Sequence, residues 1–259
     1  MTEEEYIPPI PEKEDYAISV GPQHPTHKEP IRYIFHMKGE TIEEVDLRIG
    51  FNHRGIEKAF EARTWRQNIY LAARLCGICS AAHQFVYSMV AEKCAKIYND
   101  VPERGNYIKV IIAELERIHS HILWYGVLAH DTGYDTMFQL TWRDREIVMD
   151  LLEMISGNRV NYSMYTIGGV RRDISPELAT KGVAMLKELR KKVVYHRDVM
   201  MSERSFIVRQ RDVAILSKDD AKRFCAVGPT VRASGVNYDV RKVDPYSAYP
   251  EFDFEVPLW

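Results

Sequence analysis

Residues 102–133 read PERGNYIKVIIAELERIHSHILWYGVLAHDTG. Ile108, Ile111, Ile112, Leu115, Ile118 and Ile122 recur at helical spacing, and Pro102-Glu103 ahead of them is a start signal. Proline lacks only an N–H that a first turn leaves unbonded anyway. The spacing predicts one long helix running to the break at Asp131-Thr132-Gly133. A second long helix fits Thr136 to Ser156. A third fits Pro176 to about Ser202, with Ser175 as its N-cap and Glu177 in the first turn. The polar segment GGVRRD (168–173) connects them. Three long amphipathic helices in a row imply a helix bundle over residues 64–226.

On the N-terminal side the period changes from 3.6 to 2. YAISVG, IRYIFHMK and EEVDLRIG alternate apolar and polar residues as half-buried strands do, and Gly39-Glu40 joins the last two as a tight hairpin. Residues 1–63 therefore read as an extended arm followed by a small antiparallel sheet. Residues 227–259 (VGPTVRASGVNYDVRKVDPYSAYPEFDFEVPLW) are rich in Gly, Pro and Tyr and show neither period. A segment this aromatic is expected to form an irregular tail covered at an interface. The fold class is α+β: a small N-terminal sheet, a long-helix bundle and an irregular C-terminal tail.

Composition excludes several functions. With 35 basic against 37 acidic residues, no strong attraction to nucleic acid or anionic lipid is indicated. No apolar run approaches the roughly 20 residues that span a bilayer. The start, MTEEEYIPPIPEKED, is acidic and proline-rich, the opposite of a signal peptide. Four cysteines among 259 residues make no disulfide scaffold, so a reducing cytosol is expected. The acceptor pattern Asn161-Tyr162-Ser163 carries no meaning without export.

The chemistry concentrates in RLCGICSAAH (74–83). Two packed core cysteines would be the plain explanation, but Gly77 between them costs about 1 kcal/mol in a helix and reads better as a turn that aims both sulfurs to one side. A redox dithiol of the thioredoxin kind needs a strand feeding a helix N-terminus. Here RTWRQNIYLAARL precedes the motif and reads as helix. A structural zinc or an iron–sulfur cluster needs four ligands. Cys94 lies 15 residues beyond Cys79, about 22 Å along an intervening helix, and cannot share a metal with the pair. Cys225 sits in an expected short helix, Asp219 to Ala226, and nothing directs it to the motif. His83, one turn from Cys79, can ligate or hydrogen-bond a sulfur. The chain supplies half a site. Glu116-Arg117-Ile118-His119 matches the Glu-x-x-His of di-iron bundles, but only one copy is present, and a surface or satisfied core histidine is the expectation there.

Arg74-Leu75-Cys76-Gly77-Ile78-Cys79-Ser80-Ala81-Ala82-His83 resembles the R-x-C-G-x-C-x-x-x-H signature of nickel–iron hydrogenase large subunits. GPQHPTHKEP (21–30), GFNHRGIEKAFE (50–61), ELERIHSHILWYGVLAHDTGYDT (114–136), SGNRVNYSMYTIGGVRRD (156–173) and VGPTVRASG (227–235) narrow it to the membrane-bound, energy-converting group 4 enzymes. More distantly they resemble the quinone-site large subunit of respiratory complex I. The resemblance implies that Cys76 is a terminal nickel ligand, that Cys79 bridges nickel and iron, and that His83 hydrogen-bonds the bridging sulfur. It implies a proton-relaying role for Glu29, which a partly buried carboxyl near neutral pKa can perform, and a magnesium ligand at Glu57. His24 and His53 match the complex I side, where the first loop lines the quinone cavity, and carry no assigned role. No iron–sulfur cluster is expected in this chain.

The family closes its metal site with a second C-x-x-C that is absent from these residues. The expectation is a split large subunit that catalyses 2H⁺ + 2e⁻ ⇌ H₂. A C-terminal half on a separate chain, a small subunit carrying an iron–sulfur cluster and membrane antiporter-like subunits would be its partners, with no nucleic acid, on the cytoplasmic side of the cell membrane. The alternative is a metal-free coupling subunit of a complex I-like ion pump, and a truncated gene product is a third possibility. The electron donor and the pumped ion are not readable from the residues.

Overall fold

The computed structural model describes residues 16–258; the expected N-terminal arm lies outside them. The chain forms two compact units that meet in sequence at Ala59 and Phe60. In the first, β1 (Tyr16–Val20), β2 (Arg32–Lys38) and β3 (Thr41–Arg48) form an antiparallel meander in the order β1-β2-β3. Gly39, at φ +59, supplies the positive φ of the β2–β3 turn. The pairing Ile18↔Phe35↔Val45 and Val20↔Tyr33↔Leu47 sets apolar residues together on one face. On the other face His36 Nε2 lies 2.9 Å from Asp46 Oδ2. α1 (Ile56–Glu61) follows.

The second unit is the bundle. α2 (Trp65–Ala73) opens with a capping box in which Thr64 and Gln67 bond each other's backbone N–H. α3 (Ser80–Cys94) starts directly behind the cysteine motif. α4 (Glu103–Asp131) and α5 (Asp135–Ser156) are the long helices expected from the spacing. Gly157, at φ +82, ends α5 in the left-handed conformation. β4 (Tyr165–Thr166) and β5 (Gly169–Val170) make a two-stranded turn. α6 (Pro176–Ser202) begins at Ser175, whose hydroxyl accepts from Leu178 N at 3.2 Å.

The core is the shared face of these helices. Ile108, Ile112 and Leu115 of α4 pack with Val148, Leu151 and Leu152 of α5, Phe85 of α3 and Leu189 of α6. Each such side chain contributes about 1.5–3 kcal/mol when fully buried. Ile111, expected on this face, is exposed instead. At Gly126 α4 and α5 approach so closely that a Cβ would collide with Thr141 Oγ1 and sit 2.8 Å from the Trp142 ring. A satellite cluster of Ala129, Met137, Met200 and Phe206 closes the far end of α4.

The C-terminal residues 227–258 are irregular over most of their length, with a few short helical turns set into them. After α7 (Arg204–Val208) and α8 (Lys218–Arg223) come α9 (Gly228–Ala233), α10 (Val240–Val243) and a 3-10 turn at Tyr249–Glu251. Helices of four to six residues are too short to show a period. Some aromatic residues of this segment pack within the chain, while Tyr238 and Phe252 are exposed. Tyr246 packs edge-on against Phe85, and Tyr249 donates its hydroxyl to Glu114 at 2.5 Å. The expected helix around Cys225 ends at Arg223, and Cys225 lies beyond it at φ +52, exposed.

One buried ion pair fixes the crossing of α3 and α4. Lys109 Nζ lies 2.6 Å from Glu92 Oε1 with both side chains 1% exposed, and Gly168 N donates to the same oxygen. Lys109→Met leaves the buried Glu92 carboxyl without its ammonium partner, with only the Gly168 N–H beside it, which costs about 3–5 kcal/mol. Urea unfolding of the two proteins measures it; a loss below about 1 kcal/mol would show that the pair does not fix the crossing.

Candidate metal centre

The loop from Arg74 to Cys79 joins two helices, and its shape follows from their ends. α2 terminates at Arg74, whose N–H bonds Leu71 O and Ala72 O. Beyond it, Cys79 is itself the N-cap of α3, with φ −108 and ψ 38 and no side-chain cap of its own. The two sulfurs are thereby folded back on each other, and Cys79 N donates to Cys76 Sγ at 3.2 Å. His83, one turn into α3, rises to the same side. The ligand atoms of Cys76, Cys79 and His83 all lie within 4.8 Å of one another, and all three residues are partly exposed. Among the described residues this is the one set of three or more His, Cys, Asp or Glu side chains whose donor atoms converge. Gly77 between the cysteines has open space where a Cβ would stand.

Beneath the loop lies a buried carboxyl group that the sequence offered only as part of a Glu-x-x-His motif. Glu116 of α4, 3% exposed, accepts from Ala81 N at 2.6 Å through Oε1 and from Ala82 N at 2.8 Å through Oε2. Ser80 Oγ, near the same carboxylate at 3.5 Å, donates to Val160 O at 3.0 Å. A carboxylate from another helix thus caps the first turn of α3, where unbonded N–H groups and the helix dipole favour negative charge. Burial pushes the Glu116 carboxyl up to about 7, against the pull of the two backbone N–H groups. His119, one turn along α4, is fully buried, accepts from Arg145 Nη2 at 2.8 Å on Nδ1, and lies by the Ile78 backbone. Burial first and Arg145 second push the His119 imidazole down to about 4, so it is neutral at physiological pH. The Glu-x-x-His spacing therefore serves packing beneath the cysteines, as a core histidine does, and its glutamate is the capping group.

The other expected site residues lie elsewhere. Glu29 is exposed in the first unit, where Asn52 Nδ2 donates to its Oε2 at 2.6 Å, so the partial burial that a relaying carboxyl calls for is not supplied by these residues. Glu29 borders a cavity of about 550 Å³ with His24, His27, Lys28, Tyr33 and Phe35; His53 does not line it. Glu57 is exposed in the first turn of α1 and belongs to no converging donor set among the described residues. Cys94 occupies the last position of α3 and is exposed, as the helical distance requires.

The helix bundle presents two thiols and an imidazole at a helix start, over a buried capping carboxyl group, as a candidate ligand set. The family model described as nickel-dependent hydrogenase matches residues 54–189, and the one described as respiratory-chain NADH dehydrogenase, 49 Kd subunit, matches residues 131–259. The chain belongs to the nickel-dependent hydrogenase family, on the side it shares with complex I. It is 46% identical over 241 residues to the membrane-bound hydrogenase subunit alpha of Pyrococcus furiosus, covering 92% of this chain and 56% of that protein. It is 40% identical over 245 residues to an NADH-quinone oxidoreductase subunit of Desulforamulus reducens, covering 95% and 66%. A solved structure titled as the membrane-bound sulfane sulfur reductase, an archaeal respiratory membrane complex, superposes at a TM-score of 0.88 with 34% identity, covering 95% of this chain and 66% of that one. The chain thus spans between about half and two thirds of the length of these relatives. No helix among the described residues is long and apolar enough to cross a membrane.

The donor set fits one side of a nickel–iron centre: two soft thiolates that can share a metal, and an imidazole beside them. Burial pushes the Cys79 thiol up to about 12, and the neighbouring Cys76 sulfur and the Glu116 carboxylate add to the rise. A helix N-terminus ordinarily lowers a cysteine pKa, but here Glu116 has taken the first-turn N–H groups. In the metal-free chain Cys79 is expected to alkylate far more slowly than exposed Cys225 at pH 8, and to gain reactivity continuously up to pH 10. Mass-spectrometric footprinting with iodoacetamide reads both, and equal rates at pH 8 would refute the assignment.

Proposed function

We propose that this chain carries the first cysteine pair of a nickel–iron centre in an energy-converting hydrogenase complex. The observation that supports this is the convergence of Cys76, Cys79 and His83 within 4.8 Å, in a chain matched by the nickel-dependent hydrogenase model across that segment. The reaction is 2H⁺ + 2e⁻ ⇌ H₂. Cys76 and Cys79 would hold the centre through their thiolates. Cys79 gives up its proton on loading, so metal affinity rises with pH. His83 hydrogen-bonds the Cys79 sulfur and holds its orientation. Bound there, the centre supplies the polarisation that cleaves H₂. Glu29 takes up and releases protons once partner chains bury it, and Glu57 is the candidate magnesium ligand. The remaining thiolates come from outside residues 1–259. An iron–sulfur small subunit delivers electrons, and antiporter-like membrane subunits hold this chain at the cytoplasmic face.

A second reading rests on the two sulfurs alone. The structural relative titled as a sulfane sulfur reductase and the complex I relatives fit a metal-free subunit, in which the Cys76–Cys79 dithiol works without nickel or the chain serves only to couple redox chemistry to ion pumping.

Elemental analysis of the purified native complex, alongside its Cys79→Ser variant, separates the two. The hydrogenase reading expects about one nickel per copy of this chain. In the variant, nickel and hydrogen evolution both fall by more than about a hundredfold, beyond the range for loss of a group that only orients a ligand. A nickel-free complex that still turns over another acceptor would establish the second reading.

A further inference from the structure

We infer that Glu116 is a positioning residue of the thiol site: its carboxylate clamps the first turn of α3 and so holds Cys76, Cys79 and His83 in one arrangement. The inference rests on the reading of that trio as the reactive group.

The first turn of α3 has no local cap, because its N-cap is Cys79 and the Cys79 sulfur makes no bond to it. Left to itself, such a turn frays, and Cys79 and His83 would separate with it. Glu116 supplies what is missing from 34 and 35 residues away, one oxygen to Ala81 N and the other to Ala82 N. Both acceptors are needed, since the two N–H groups point at different oxygens. Ser80, between Cys79 and these amides, is itself tied to Val160 O. His119 stands on the same side of α4, by the backbone of Ile78, the residue between Gly77 and Cys79. Ser80, Ala81 and Ala82 are therefore held from behind, and the two sulfurs are left partly exposed. Glu116 makes no hydrogen bond to either sulfur and positions them through the backbone that carries them.

The test uses the full chain with Cys94→Ser and Cys225→Ser to remove the exposed thiols, titrated with Cd²⁺ and read in the thiolate-to-cadmium charge-transfer band. Glu116→Gln keeps the shape but sets an amide NH₂ against one backbone N–H. It is expected to weaken Cys76-dependent Cd²⁺ binding at least about tenfold, as loss of a ligand-orienting contact does. Amide exchange at Ala81 and Ala82 should accelerate by a similar factor. Met200→Ala, in the satellite cluster, loosens the bundle without touching the clamp and should leave both readings unchanged. Unaltered affinity or unaltered exchange in Glu116→Gln, or an equal loss in Met200→Ala, overturns the inference. If the starting chain shows no Cys76-dependent cadmium binding, the metal reading of the trio fails by itself, and exchange at Ala81 and Ala82 then decides the clamp.

Discussion

A helix that begins at a reactive cysteine cannot be capped by that cysteine and still offer its sulfur to a metal. α3 meets this constraint by borrowing its cap from α4. Glu116 closes its first turn, and near the other end Glu92 pairs with Lys109 of the same neighbour. The pairings 81 with 116 and 92 with 109 run in opposite directions along the two helices, so they are antiparallel and locked at two levels. Buried charge is costly unless compensated. Here both buried carboxylates are compensated, one by an ammonium group and one by backbone N–H groups. The remaining helices pack around this pair through α4, which presents Ile112 and Leu115 to the common core.

Burial, the neighbouring sulfur and, to a smaller extent, the clamp all favour the protonated Cys79 thiol. Thiols at a helix start ordinarily share its positive end and ionise easily. In this chain that positive end is spent on Glu116, and burial together with the neighbouring sulfur keeps Cys79 protonated. Such a site waits for a cation to displace the proton rather than reacting as a free thiolate. This suits a metal ligand better than a freely exchanging dithiol. The relatives divide along the same line, some titled hydrogenase and others NADH-quinone oxidoreductase or sulfane sulfur reductase, on one fold.

The long helices were legible because each carries a local signal. Pro102 marks the start of α4, Ser175 caps α6, Gly157 ends α5, and the apolar spacing between them is regular. The sheet was legible from its alternation and the Gly39-Glu40 turn. The residues after 226 were not, because helices of four to six residues have no period to detect, and their tyrosines find partners far away in sequence, such as Glu114 and Phe85. The cysteine pair and His83 could be found from spacing alone. Glu116 could not, since its partners are backbone amides 34 and 35 residues earlier, and the single Glu-x-x-His copy pointed only to a surface or satisfied core histidine. A signal was nonetheless present: a Glu inside an otherwise apolar helical stripe must meet a buried partner.

The central claim is that the sulfurs of Cys76 and Cys79 bind nickel. X-ray absorption at the nickel edge of the native complex tests it most directly. A shell of sulfur scatterers that loses one neighbour in Cys76→Ser is the expected result. Nickel coordinated only by nitrogen and oxygen, or a sulfur shell unchanged by the substitution, would contradict it.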